Sequence, residues 1–284
     1  MDSQVLTTLQ ACPRLCDFRF NHNLSSTHKS NSLECGTMVH LMLEAYYKTL
    51  LTHVPRGYAL DKSFEVGEQY ARDGEDGSGL HDTPEDNEGY KVGWKHVLQT
   101  MREYFDYYSN DNWFPIDVEH VRGSVIYEDE ELRILWKAKF DLTADLPHGI
   151  KPVDHKTMKQ RRDTLSMNNQ FMGQCILMGT REVWINKIGF QKSLEPKDKF
   201  QRVQVAYSAN RLEEWKNDIV PFYARMLAAY TEVGYFPPNF THCENKYGWC
   251  SFKEVCEVDK NMREEILRLN YVKGTPWDVS NEKD

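Results

Sequence analysis

Long apolar runs are missing from this 284-residue chain: none approaches the roughly 18 uninterrupted apolar residues that a membrane span needs. The opening segment, MDSQVLTTLQACPRLC, lacks the basic-then-apolar plan of a secretory leader. The seven cysteines are odd in number and irregularly spaced, which does not describe a secreted disulfide framework. A cytoplasmic, reducing setting is expected, with no membrane partner and with cysteines used for metal or packing. Repeats of solenoid length are also absent. So is an overall excess of basic charge, since the formal net charge is −8.

What is present is enough apolar material, 40% of residues, for a sizeable core. The negative charge is concentrated. Residues 61–90 hold ten acids and two bases, and the rest of the chain is neutral. Within that remainder residues 151–202 carry eleven bases against five acids. A basic zone beside an acidic insertion suits a phosphate-binding groove, and charge alone equally describes a solvated lysine-rich surface.

Periodicity outlines the elements. Val39, Leu43, Tyr46 and Leu50 fall at helical spacing within 36–51, and a second helix is predicted over about 86–109. The Gly- and Asp-rich stretch around 71–83 reads as a loop within the loop-rich insertion 61–90. Segments 117–127 and 132–145 form a predicted hairpin around Glu128-Asp129-Glu130-Glu131, and Ile150 to Asp154 is a third short strand. A helix over about 163–179 and strands 182–190 and 200–207 follow. A long helix runs from about Asn210 to Gly234, with Pro221 set to kink or divide it. This order predicts an α/β fold with a mixed central sheet flanked by helices, read as one domain over 1–284.

Two carboxylates stand near strand ends, Asp141 in KAKFD and Asp154 in VDHKT. Side chains two apart in a strand share a face, so Asp154 and Lys156 project together. If the strands bearing Asp141 and Asp154 pair, the carboxylates converge beside an ammonium. Hard oxygen ligands of this kind take Mg²⁺ or Mn²⁺, and the amine can offset developing charge at a phosphate. The same spacing also occurs in ordinary strand ends. His40 and Glu44 share a helix face, where the imidazole is either a further ligand or a satisfied helix histidine. Gln170 and Gln174 lie four apart on the following helix, as phosphate- or base-facing amides or as a solvated stripe. Glu119, on the preceding strand, is either a supporting acid or a structural residue, with the structural reading preferred.

Cys243, Cys250 and Cys256 cluster in HCENKYGWCSFKEVC, with six and five residues between them, and CPRLC offers Cys12 and Cys16. Clustered thiols in a reducing setting suggest a metal, though the C-x₂-C pair of a zinc ribbon is missing. Taken singly, each also reads as a small buried hydrophobe.

Together CGTMVH (35–40), KAKFD (137–141), VDHKT (153–157) and NQFMGQ (169–174) resemble the RecB-like branch of the PD-(D/E)XK nuclease superfamily, over about residues 12–256. The resemblance implies a restriction-endonuclease-like core. It implies metal ligation by His40, Asp141, Asp154 and the carbonyl of His155, with Lys156 and Gln170 as catalytic residues. Ala138 stands where the family has glycine, and Gln174 where it has tyrosine. The C-P-R cysteine and the three late ones are similar to the iron–sulfur subgroup of AddB-type and CRISPR-associated adaptation nucleases. That implies a [4Fe–4S] cluster on Cys12, Cys243, Cys250 and Cys256 joining the chain ends. Structural Zn²⁺ is the alternative and Cys16 a substitute ligand, while Cys35 and Cys175 are packing residues.

The expected function is a Mg²⁺/Mn²⁺-dependent deoxyribonuclease, an exonuclease on single-stranded or frayed DNA ends in recombination, repair or phage- or CRISPR-type processing. Lys159, Arg161 and Arg162 would hold the strand, beside a helicase or recombination partner. The alternatives are a non-catalytic DNA-binding or assembly subunit and a redox protein built around the cluster.

Overall fold

The computed structural model describes residues 1–26, 31–73, 93–158, 166–245 and 248–279. Its main helices are α1 (Ser3–Ala11), α2 (Asn31–Leu50), α3 (Arg56–Asp73) and α4 (Trp94–Tyr107). Strands β1 (Phe114–Glu128), β2 (Arg133–Leu146) and β3 (Gly149–Met158) follow. Then come α5 (Asn169–Met178), β4 (Glu182–Gly189), β5 (Phe200–Ala206), α6 (Val220–Val233) and α7 (Arg263–Asn270). The chain divides into two compact units, one of residues 1–29, 123–138 and 208–282, the other of 30–122, 139–207 and 283–284.

The five strands form one sheet in the order β1-β2-β3-β4-β5. The β2–β3 and β4–β5 pairs are antiparallel, and β3–β4, joined through α5, is parallel. The sheet is therefore mixed, as the hairpin-plus-crossover pattern predicts. Alternate residues of β3 meet different helices. His155 stacks on Tyr47 of α2, while Asp154 and Lys156 meet Gln170 of α5. Strand periodicity thus sends chemistry to one face and packing to the other.

The core of the larger unit collects Met38, Val39, Met42, Leu43, Tyr46 and Tyr47 of α2 with Leu142, Ala144, Val153 and Ile188 of the sheet. The predicted stripe on this helix accordingly faces inward, Leu50 packing at its edge. Residues 61–73, expected in a loop-rich insertion, belong instead to helix α3. Ala59, Ser63, Gly67 and Ala71, each four apart, form its buried face, and the Ser63 hydroxyl donates to the Met42 carbonyl at 2.8 Å. The remainder of the insertion, residues 74–90, and the start of the helix predicted from 86 lie outside the described residues.

Two further boundaries differ, and the division expected at Pro221 is present. Strand β3 runs to Met158 rather than stopping at Asp154, because the parallel ladder to β4 continues through Met158. Helix α5 begins at Asn169, where Asn168 caps it by accepting from the Gln170 N–H at 2.8 Å. It ends at Gly179, whose φ of 62° supplies the left-handed stop. The predicted 210–234 helix is divided by a π-helical turn at Trp215–Ile219 just before Pro221, which absorbs the missing proline N–H.

In the other unit, Asp2 caps α1, and Val5 and Leu9 pack with Tyr223, Leu227 and Tyr230 of α6. A second apolar cluster holds Phe18, Phe252, Val255 and Tyr271. Leu24–Ser26 pairs antiparallel with Tyr271–Lys273, so the two ends of the described chain meet through backbone hydrogen bonds.

Candidate active site

The β2–β3 ladder ends at the pair Leu142–Val153, and Asp141 and Asp154 are the next residues on the two strands. There the backbone leaves the ladder. The His155 N–H donates to Asp141 Oδ2 at 2.7 Å instead of to a strand carbonyl, fixing that carboxylate beside β3. Asp154 is fully buried. Its Oδ1 accepts from Gln170 Nε2 at 2.7 Å, and its Oδ2 lies 2.8 Å from the Lys156 ammonium. Lys156 also reaches Gln170 Oε1 at 3.3 Å, closing a three-member ring of Asp154, Lys156 and Gln170. Strand spacing supplies two of these residues and the first turn of α5 the third.

Burial raises the Asp154 carboxyl to about 6, with the Asp141 charge adding to the rise and Lys156 opposing it. His155 is buried and its pKa is held well below the ordinary value, because desolvation penalises the imidazolium. Its Nδ1 lies 2.9 Å from Asn186 Nδ2, and Asn186 donates in turn to the Tyr104 hydroxyl at 2.9 Å. The His155 ring is therefore a positioned packing element, leaving its backbone as the part that serves the site.

On the other side of Asp141 stands His40, its Nδ1 3.7 Å from Asp141 Oδ2. Donor atoms of His40, Glu119 and Asp141 lie within 4.8 Å of one another. Two carboxylates and an imidazole at that spacing are a donor set suited to a divalent cation. Glu119 was expected to be structural. Its φ of 50° is left-handed, a rare choice for a non-glycine residue, and no apolar–polar pattern signals it. The Glu119 carboxylate pairs with Lys139 at 2.7 Å.

The remaining sequence candidates divide. Glu44 pairs with Lys48 on the helix surface rather than with the site. Gln174 is neither solvated nor substrate-facing: it is fully buried, and its Nε2 donates to the Lys139 carbonyl at 3.3 Å. Lys159, Arg161 and Arg162 lie outside the described residues.

The cysteines form a separate feature within the smaller unit. Cys12, Cys243, Cys250 and Cys256 line one cavity together with Leu15, Phe18 and Phe252. The Asn239 N–H donates to Cys12 Sγ at 3.3 Å, and the Cys250 N–H to the Cys243 carbonyl at 2.8 Å. Burial raises the Cys243 and Cys250 thiols, and the neighbouring cysteines raise them further. Among the described residues, no three of these sulfurs all lie within 4.8 Å of one another. Cys16 does not share this cavity. It packs with Val5 and Leu9, and burial pushes its thiol up to about 12. Cys35 and Cys175 are buried, as expected of packing residues.

Residues 3–257 match the family model described as the PD-(D/E)XK nuclease superfamily. Among solved structures, a "Putative exonuclease" from Eubacterium rectale aligns with a TM-score of 0.51 at 16% identity, over 92% of this chain and 89% of that one. At that identity the likeness shows the fold. The protein SSO0001 aligns over 89% of this chain and 94% of that one, at 12% identity and a TM-score of 0.35. No curated protein matches the chain. No described helix is long and apolar enough to cross a membrane.

Proposed function

The chain belongs to the PD-(D/E)XK nuclease superfamily, and from that premise we propose that it is a divalent-metal-dependent deoxyribonuclease with its site at Asp141, Asp154 and Lys156. PD-(D/E)XK nucleases use divalent metals. The observation that carries the reading is a pair of buried aspartates placed just beyond one ladder pair of neighbouring strands, with an ammonium 2.8 Å from one of them; the 4.8 Å donor group itself takes in Asp141 with His40 and Glu119 rather than Asp154. A fully buried Asp154 is costly in a purely structural role, because burial and then the neighbouring Asp141 charge disfavour its ionised form. A cation removes that cost.

His40, Asp141, Asp154 and the carbonyl of His155 would hold the ion, an oxygen-rich set with one neutral imidazole. A divalent cation bound there supplies Lewis-acid stabilisation of charge on a phosphodiester and a more acidic water. The chain's own residues do the rest. Asp141 is oriented by the His155 N–H. Gln170 holds Asp154 through Oδ1 and leaves Oδ2 to face the ammonium. Lys156, about a third exposed, is open to substrate, where it orients the nucleophile and offsets charge on the scissile phosphate.

The substrate is DNA, and the reading extends to an exonuclease on single-stranded or frayed ends, in keeping with the exonuclease description of the Eubacterium rectale protein. Recombination, repair or phage- or CRISPR-type processing beside a helicase or recombination partner is the setting it suggests. The four-cysteine cavity is assigned to a [4Fe–4S] cluster with Cys12 as the early ligand. An apolar lining and an N–H directed at sulfur are the surroundings a thiolate-held cluster uses. Structural Zn²⁺ is the alternative occupant of the same four thiols. Such thiolates call for a reducing, cytoplasmic compartment.

The test is direct. Purified protein with Mn²⁺ should degrade labelled DNA, and Asp154→Ala and Lys156→Ala should each abolish it. Full activity in both variants refutes the site assignment.

A further inference from the structure

Glu119 and Lys139 form the wall of the site next to Asp141. The Glu119 side chain is only 7% exposed and lies in the group with His40 and Asp141. Lys139 sits two residues before Asp141 on β2, so the two side chains leave the same face of the sheet. Its ammonium, itself largely buried, is 2.7 Å from Glu119 Oε2. Gln174 holds the backbone of Lys139 through its carbonyl at 3.3 Å.

Two carboxylates and an imidazole in a buried pocket need positive charge. Lys139 provides it in the chain as described, through the same Glu119 carboxylate that is placed to meet a cation. An ammonium is a compact single charge on a flexible stem, able to swing away when a doubly charged ion takes its place. Both cations cannot hold the same carboxylate in full.

We propose that Lys139 is a resident counter-cation that a divalent ion must displace from Glu119, and that Glu119 then joins the ligand set of His40 and Asp141. Glu119 is thus a metal ligand and Lys139 a positioning residue that sets metal affinity. The inference rests on the metal-dependent reading above and deepens it. The Lys139–Glu119 pair is otherwise a simple structural ion pair, and the two roles predict opposite effects on metal binding when the lysine is neutralised.

The experiment is a Mn²⁺ titration of the full chain without DNA, followed by the electron paramagnetic resonance signal of free Mn²⁺. Lys139→Met should tighten binding about tenfold, and Glu119→Gln should weaken it about tenfold, the scale of a residue bonded to a metal ligand. In the Glu119→Gln background, Lys139→Met should give no gain, since the two act through one carboxylate. Lys139→Gln serves if the methionine variant does not fold, with the same direction expected. Unchanged or weaker binding in a folded Lys139 variant overturns the proposal, as does an equal gain with and without Glu119. A wild-type chain that binds no Mn²⁺ sinks the nuclease reading itself. Wild-type binding that ignores Lys139 sinks only this inference.

Discussion

Replacing Lys156 with methionine keeps the length of the side chain and deletes its charge. The ammonium lies 2.8 Å from Asp154 Oδ2. At an effective dielectric constant of about 20, that pair is worth about 6 kcal/mol before screening. Lys156 is about a third exposed, so solvent takes roughly half of that away and leaves about 3 kcal/mol, or about two pKa units. Asp154 already stands at about 6 because of burial, with Lys156 holding it down. Without the lysine it should titrate near pH 8. The sign of the linkage follows. A carboxyl whose folded pKa is raised favours the metal-free fold at low pH, and that contribution is lost as pH rises through the folded value. Mn²⁺ needs the carboxylate, so its stabilising effect should appear over the same interval. The assay is the Mn²⁺-induced shift in melting temperature as a function of pH. At one fixed Mn²⁺ concentration the midpoint of that shift should lie about two pH units higher in Lys156→Met than in the wild type. An unchanged midpoint in the variant refutes the coupling between Lys156 and Asp154.

Removing the helix cap with Asn168→Ala should cost about 1 kcal/mol, read as a lowering of the melting temperature by a few degrees. Because the cap fixes Gln170, DNA cleavage should fall as well, and cleavage unchanged in a destabilised variant counts against that role. Gly179→Ala forces a Cβ into a left-handed backbone and should cost about 1–2 kcal/mol in urea unfolding, with no effect on Mn²⁺ affinity. Iron analysis of anaerobically purified protein should show Cys12→Ser and Cys256→Ser depleted and Cys16→Ser unchanged. Depletion in Cys16→Ser but not Cys12→Ser would reverse the ligand assignment.

Much of the site was legible because strand geometry is simple. The two-residue period placed Asp154 and Lys156 on one face, and pairing of the hairpin strand with the next brought Asp141 alongside. Cys12, Cys243, Cys250 and Cys256 line one cavity, whereas Cys16 packs under Val5 and Leu9, a distinction that the spacing in CPRLC does not carry. The sequence offers Glu119 as a supporting acid but hides it as a ligand beside His40, since no residue preference signals a left-handed φ at glutamate. Helix α3 was hidden for another reason. Its buried stripe is Ala59, Ser63, Gly67 and Ala71, small residues that carry almost no hydrophobic signal and allow α2 to approach closely. Acidic residues on its exposed side made the segment resemble a loop. Gln174 misled because an amide at helical spacing from Gln170 looked solvent-facing, while the sheet uses it to satisfy the carbonyl of Lys139.

The claim beneath all of this is that Asp141 and Asp154 share a single divalent ion. Crystals of the full chain grown with Mn²⁺, measured at the manganese absorption edge, test it in one map. The account predicts an anomalous peak in coordination contact with a carboxylate oxygen of each aspartate and beside the Lys156 amine. A peak elsewhere, or none at this position while Asp154 remains bonded to Lys156 and Gln170, would contradict it.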